Sequence, residues 1–232
     1  MAIRAITFDV YSALFDTVSS LTEALREFFK SRGIVGDAEQ AGRTWRAKQR
    51  EYLLIANSLD REPALNRRAI EAGARFALRE LSPPLTADEL RRLVAAWERL
   101  PPWPEVAGVL AEIRRRPYVM ATLSNGDEAM QRRLLAQVPV RFDRIISTEG
   151  GKFKPHPSAY GKALAVLDVR VDELLHVAGS ATDAMGATAF GIRTVWVNRT
   201  GDAVVDSRLA PANEISDLSH LLPLLDRETT YP

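Results

Sequence analysis

The chain has 232 residues, 31 basic and 30 acidic for a net charge of +1, and 46% of them are hydrophobic. That length fits one or two domains, the apolar content excludes a disordered chain, and the charge balance lacks the basic footprint of nucleic-acid binding. There is no cysteine, which excludes disulfides, thiolate nucleophiles, zinc ribbons and iron–sulfur clusters and is compatible with a reducing compartment.

The first ten residues form a short apolar run broken by Asp9, unlike a signal peptide. Charges interrupt every window of about 20 residues, the length a membrane helix needs. A soluble, cytoplasmic protein is expected. Ala5-Ile6-Thr7-Phe8-Asp9 reads as a buried strand with the acid at its carboxyl end. From Asp16 to Leu100 the pattern is helical. Leu21, Leu25, Phe28 and Phe29 recur at helical spacing behind the capping residues Ser19 and Ser20, and Gly33 stops that helix. Further helices are expected over 39–59, 64–81 and 86–99, the last opened by Thr86 with Glu89 as a capping box. Pro101-Pro102 and Pro104 close the block.

The remainder alternates. Helices are expected at 105–115, 127–137, 158–167 and 182–190, and strands at 118–124, 144–147, 174–177 and 194–197. Such alternation implies a parallel sheet with helices on both faces. The expected fold class is α/β, a Rossmann-like parallel sheet core (residues 1–15 and 101–232) with a helical cap domain (16–100) inserted after the first strand. No internal repeat or low-complexity stretch is visible.

Ligands of open α/β sheets bind at the carboxyl ends of the strands. Four segments fall there: Asp9, Ser124-Asn125-Gly126, Lys154 through Tyr160, and Ala178-Gly179-Ser180-Ala181-Thr182-Asp183. A lone aspartate after a strand is usually a turn residue, but here an acid, a hydroxyl–amide pair, a lysine and a second acid converge. A carboxylate in that setting can form a covalent ester. A lysine beside it favours its ionised form, and a second acid can orient the water that hydrolyses the ester.

These four ordered motifs resemble the haloacid dehalogenase superfamily and, more closely, its L-2-haloacid dehalogenase (type II) branch, over nearly the whole chain. The six-residue step from Lys154 to Tyr160, the stretch Trp45-Arg46-Ala47-Lys48-Gln49-Arg50-Glu51-Tyr52 and the tail Trp196-Val197-Asn198-Arg199-Thr200-Gly201 carry the closer likeness. The resemblance implies Asp9 as nucleophile, Tyr11 in the pocket wall and Arg46 as receiver of the departing halide. It implies Ser124 and Asn125 as binders of the substrate carboxylate, Lys154 as the lysine beside the nucleophile and Tyr160 as its neighbouring tyrosine. Asp183 becomes the acid serving the hydrolytic water, with Ser180 at the position of the family's water-site asparagine. The implied function is a hydrolase acting through an aspartyl ester on a small 2-substituted carboxylic acid, turning a 2-haloacid into a 2-hydroxy acid. The implied partner is that small carboxylate, and a homodimer is compatible with it; no nucleic acid or membrane is expected.

No cofactor and no metal are expected. Magnesium-dependent phosphatases of the superfamily carry a second acid two residues after the nucleophile, where Tyr11 stands, and a Gly-Asp pair where Ala178-Gly179 stands. Magnesium wants several oxygen ligands. This chain also departs from the dehalogenase pattern. Ser12-Ala13 stand where the family has Gly-Thr, Ala178 replaces a serine, Ser180 an asparagine, Thr182 a tryptophan and Arg50 a leucine. These changes imply a roomier, more polar pocket and leave two alternatives: another leaving group, as in ring opening of azetidine-2-carboxylate, or a phosphatase-like or non-catalytic member. Arg43, Arg46 and Arg50 share a helical stripe, a pattern that is usually solvated. His156 and His176 are read as structural, and Trp97 and Trp103 as packing residues.

Overall fold

The structure is a computed structural model that describes residues 2–59, 65–81 and 83–230. Its strands, in chain order, are β1 (Ala5–Phe8), β2 (Val119–Ser124), β3 (Arg144–Ser147), β4 (Leu174–Ala178), β5 (Arg193–Val197) and β6 (Asn213–Ile215). They form one parallel sheet in the order β3-β2-β1-β4-β5-β6. Every residue of β1 and β4 is buried, as befits a parallel sheet covered on both faces. Alternation along β1 divides the core. Ile6 and Phe8 join one cluster with Val109 and Leu110 of α5 (Val106–Arg114). Ala5 joins a second with Tyr160 and Ala163 of α7 (Pro157–Leu167) and Ala187 of α8 (Ala181–Phe190).

The register aligns the strand ends. Phe8 pairs with Thr122 on one side and Val177 on the other, and the Asp9 amide extends the ladder by donating to the Val177 carbonyl at 2.9 Å. Ser124 pairs with Ser147. β1 thus lies where the chain switches from one half of the sheet to the other, the place that suits a ligand.

Between β1 and α5 come α1 (Thr17–Arg32), α2 (Ala38–Leu59), α3 (Asn66–Ala77) and α4 (Ala87–Ala96). The segments leading into and out of this block meet in an isolated antiparallel bridge: Phe15 bridges Pro102, and the Asp16 amide donates to the Pro101 carbonyl at 2.9 Å. The cap of α1 is Asp16, not Ser19 or Ser20. Its carboxylate accepts from the Ser19 amide at 3.1 Å, while the Ser20 hydroxyl donates back to the Asp16 carbonyl. An aspartate three residues upstream reaches an orphan helix amide better than the later serines do. Gly33 ends α1 in the left-handed region, φ 64°, and Thr86 with Glu89 forms the capping box of α4. α2 and α3 pack tightly because α3 offers Gly73. A Cβ there would sit 2.8 Å from the Trp45 carbonyl oxygen, and the Trp45 indole donates to the Ile70 carbonyl at 2.7 Å. The expected start of α3 at Ala64 lies outside the described residues.

The alternating half contains α6 (Glu128–Leu135), with Asp127 as its cap, besides α5, α7 and α8. β6 and the terminal α9 (Leu221–Thr230) were not foreseen. β6 is three residues, Asn213-Glu214-Ile215, with no fully buried position, too short for a periodicity to show. Among the described residues no helix is long and apolar enough to cross a membrane.

Candidate active site

The turn after β1 is held from several sides. Ser12 adopts φ 76°, a left-handed conformation that costs a non-glycine residue roughly 1–2 kcal/mol. Its amide bonds to the Phe15 carbonyl at 3.1 Å. Gly179 packs against the same turn, where a Cβ would fall 2.4 Å from the Ala13 nitrogen, so only glycine fits at 179. The Arg199 guanidinium donates to the Ala13 carbonyl at 3.0 Å and pairs with Glu105 at 2.6 Å. Asp9 therefore projects from a rigid support.

Lys154 spends all three ammonium protons. Nζ donates to Asp9 Oδ1 at 3.0 Å, Asp183 Oδ2 at 2.6 Å and the Leu123 carbonyl at 2.7 Å. The Lys154 backbone is held by Asn125, whose Oδ1 accepts from the Lys154 amide at 2.8 Å and whose Nδ2 donates to the Lys154 carbonyl at 3.2 Å. Asn125 lines the cavity, but its side-chain amide faces the lysine. Ser124, fully buried, donates to Asp9 Oδ1 at 3.5 Å. Asp9 Oδ2 receives no hydrogen bond from the described residues, so one oxygen is clamped and the other is free. No bond joins the Ser12 hydroxyl to Asp9 among the described residues.

Asp183 is in the first turn of α8. The cap of that helix is Ser180, whose hydroxyl accepts from the Asp183 amide at 3.4 Å, so the Asp183 carboxylate is not spent on capping. Oδ2 takes the lysine and His176 Nε2 at 3.0 Å, and Oδ1 takes the Tyr160 hydroxyl at 3.0 Å. Tyr160 is fully buried behind Asp183 and does not line the cavity. His176 Nδ1 lies 2.9 Å from Thr7 Oγ1. Sequence reasoning missed that His176 and Thr7 back this acid. The only signal was two polar residues inside otherwise apolar strands. His156 is structural, capping α7.

The two carboxyls are not equivalent. Burial, and then the nearby Asp183 charge, raise the Asp9 pKa against the pull of Lys154. Asp183 is equally buried, yet Lys154 and His176 hold it well below the usual range. The first proton taken up by the pair goes to Asp9. Burial alone would lower the Lys154 pKa, but Asp183 and Asp9 outweigh it and keep the ammonium charged.

The helical block closes the other side of a cavity that encloses about 50 Å³ and is lined mainly by polar side chains, with Leu53 and Leu54 the plainly apolar ones. The arginine stripe on α2 divides. Arg43 is exposed and pairs with Glu39, whereas Arg46 and Arg50 line the cavity. Arg46 donates to Gln49 at 2.8 Å and stacks over Trp97, 5.3 Å from the ring centre. Gln49 in turn donates to Asn66 at 2.8 Å. Burial, then Arg50, lower the Arg46 pKa to about 10, which leaves it cationic at neutral pH. The hydroxyl of Tyr11, another cavity residue, and the indole nitrogen of Trp97, which stacks under Arg46, are buried without hydrogen-bond partners among the described residues. This wall is rich in donors and poor in acceptors.

A magnesium ion does not fit this donor set. The residue two after Asp9 is a phenol, Ser180 is a helix cap, and Lys154 already bridges both carboxylates. Magnesium is held through one or two carboxylates with water completing its shell, and here the Lys154 ammonium lies between the two carboxylates that could serve. Among the described residues no group of three or more His, Asp or Glu side chains gathers as a metal site.

Residues 3–191 match the family model for haloacid dehalogenase-like hydrolases. The chain is 32% identical to the (S)-2-haloacid dehalogenase of Pseudomonas sp. (strain YL), over 97% of this chain and 95% of that one. It superposes on the L-2-haloacid dehalogenase of Xanthobacter autotrophicus with a TM-score of 0.84 at 28% identity, covering 97% of this chain and 98% of that one. The same Xanthobacter enzyme with chloropropionic acid covalently bound gives a TM-score of 0.82 at 27% identity, with the same coverage. This chain therefore belongs to the haloacid dehalogenase-like hydrolase family.

Proposed function

We propose that the protein is an (S)-2-haloacid dehalogenase-type hydrolase that works through an ester on Asp9. The observation that carries this is the asymmetric carboxylate of Asp9, a cavity-lining residue: Oδ1 is fixed by Lys154 while Oδ2 receives no hydrogen bond from the described residues. Oδ2 attacks the carbon bearing the halogen, the carbon–halogen bond breaks, and the halide leaves towards Arg46 and the donor-rich wall. Water, oriented by Asp183, then attacks the ester carbonyl and returns Asp9 with release of the 2-hydroxy acid and a proton. Lys154, held by Asn125, keeps the two acids apart in charge. Ser124 faces the substrate carboxylate, and Tyr160 with His176 fixes Asp183. Relatives that carry the same activity by name support this reading. The paired segments at Phe15 and Pro102 support a boundary that places 16–100 in a cap domain and 1–15 with 101–232 in the core. The absence of cysteine suits a cytoplasmic setting.

A single turnover in heavy-oxygen water tests the mechanism. The first 2-hydroxy product should be unlabelled and inverted at carbon, with label in the Asp9 peptide. Label arriving directly in the product overturns the ester. Arg46→Ala should lower kcat about 10²–10³-fold, the scale set by losing one donor to developing negative charge. Wild-type kinetics in that variant would return Arg46 to the solvated stripe. Turnover should survive EDTA, because the donor set does not suit magnesium; phosphate-ester hydrolysis that depends on added magnesium would replace this reading with a phosphatase.

A further inference from the structure

We propose that Arg50 forms a second anion subsite and that the preferred substrates are 2-halo dicarboxylates, of which 2-chlorosuccinate is the simplest C4 member. This rests on the dehalogenase-type reading of the same site and narrows its substrate class.

Arg50 lines the cavity together with Asp9, Ser124, Ser180 and Thr182. It donates no hydrogen bond and joins no ion pair among the described residues, unlike Arg43 on the same helix, which is neutralised by Glu39. Arg46 is occupied differently, by Gln49 and the face of Trp97. Two guanidinium groups one helical turn apart therefore share a half-buried space with one partner set between them. Like charges at that spacing repel, and after burial, the larger cause, this repulsion also lowers the Arg46 pKa. An anion entering between them relieves it. The reaction itself supplies one anion, the halide, for Arg46. In the proposed mechanism the first carboxylate of the substrate is assigned to Ser124, which also lines the cavity. Arg50 is left with a charge that neither group neutralises. A carboxylate on the substrate side chain answers it, and a guanidinium binds a carboxylate through two parallel N–H bonds. Leu53 and Leu54, one turn beyond Arg50, can flank the methylene of such a side chain, while the lining at Ser180, Thr182, Gln49 and Asn66 is polar. The chemistry balances without a further reactant: 2-chlorosuccinate and water give malate, chloride and a proton.

The test compares (S)-2-chlorosuccinate with (S)-2-chlorobutyrate, which has an uncharged methyl group in place of the distal carboxylate. Wild type should show kcat/KM at least tenfold higher for chlorosuccinate. Arg50→Leu should reverse that preference and Arg50→Lys should keep part of it. A wild-type preference for chlorobutyrate, or an equal loss on both substrates in Arg50→Leu, overturns the subsite while leaving the dehalogenase reading intact. If neither substrate releases chloride, that reading fails, and the subsite is judged by calorimetry on Asp9→Asn. Succinate should bind at least tenfold more tightly than butyrate, and the advantage should vanish on adding Arg50→Leu. Equal binding of the two acids overturns it.

Discussion

Asp9→Asn is expected to lose turnover by roughly six orders of magnitude, the scale seen when a covalent nucleophile is removed from an enzyme. The amide oxygen can still accept from Lys154, but a neutral amide does not displace a halide. The variant should nevertheless fold at least as well as the wild type. Burial raises the Asp9 pKa above its ordinary value. A carboxyl with a raised folded-state pKa destabilises the fold once pH exceeds the unfolded value, so removing its charge relieves a cost at neutral pH. Loss of turnover together with an unchanged or higher Tm is the signature of a residue retained for chemistry. Substantial activity in fresh protein free of deamidation, or a fall in Tm of about 5 °C or more, which corresponds to ~2 kcal/mol for a chain of this size, would contradict it.

Lys154→Met should remove activity and stability together. The ammonium lies between two buried carboxylates, 3.0 Å from one and 2.6 Å from the other. Taking away one partner of a buried ion pair costs about 3–5 kcal/mol because the remaining charge is uncompensated. Here two carboxylates are left facing each other. Asp9 then takes up a proton at neutral pH and stops acting as a nucleophile. The pH dependence identifies the cause. In the wild type Asp183 is held well below its usual range, so its contribution is present above the unfolded carboxyl pKa and is lost as pH falls through the depressed value. In Lys154→Met both carboxyls are raised, and protonation at low pH removes their repulsion. The gap in stability between variant and wild type should therefore be widest near neutrality and narrow in acid. A gap that stays constant from pH 7 to pH 4 would mean that Lys154 acts by packing alone, and retained turnover would remove it from the mechanism.

The order of elements was legible in the chain because each carries a local signal. β1 is a short apolar run in front of an acid, Gly33 stops α1, and Thr86 with Glu89 opens α4. Parallel strands must be joined by crossovers, so alternation alone implied the sheet and pointed to its carboxyl edge, where Asp9, Lys154 and Asp183 indeed meet. β6 escaped notice because three residues have no period, and the cap of α1 was misassigned because three nearby side chains all suit capping and only the backbone path selects Asp16. The division of labour within the site was decided by tertiary structure. Sequence placed Arg43, Arg46 and Arg50 on one stripe, but only the packing of α2 against α1 and α3 shows that the first is solvated while the other two line the cavity. His176 and Thr7 sit 169 positions apart, and no local pattern marks their contact. Asp9 and Asp183 are the same residue type, both at the carboxyl edge of the sheet. Their pKa values move in opposite directions because burial acts on both while His176 and the shorter lysine bond reach only Asp183. Such differences depend on distances of a few tenths of an ångström between groups far apart in the chain, and only the folded structure sets them.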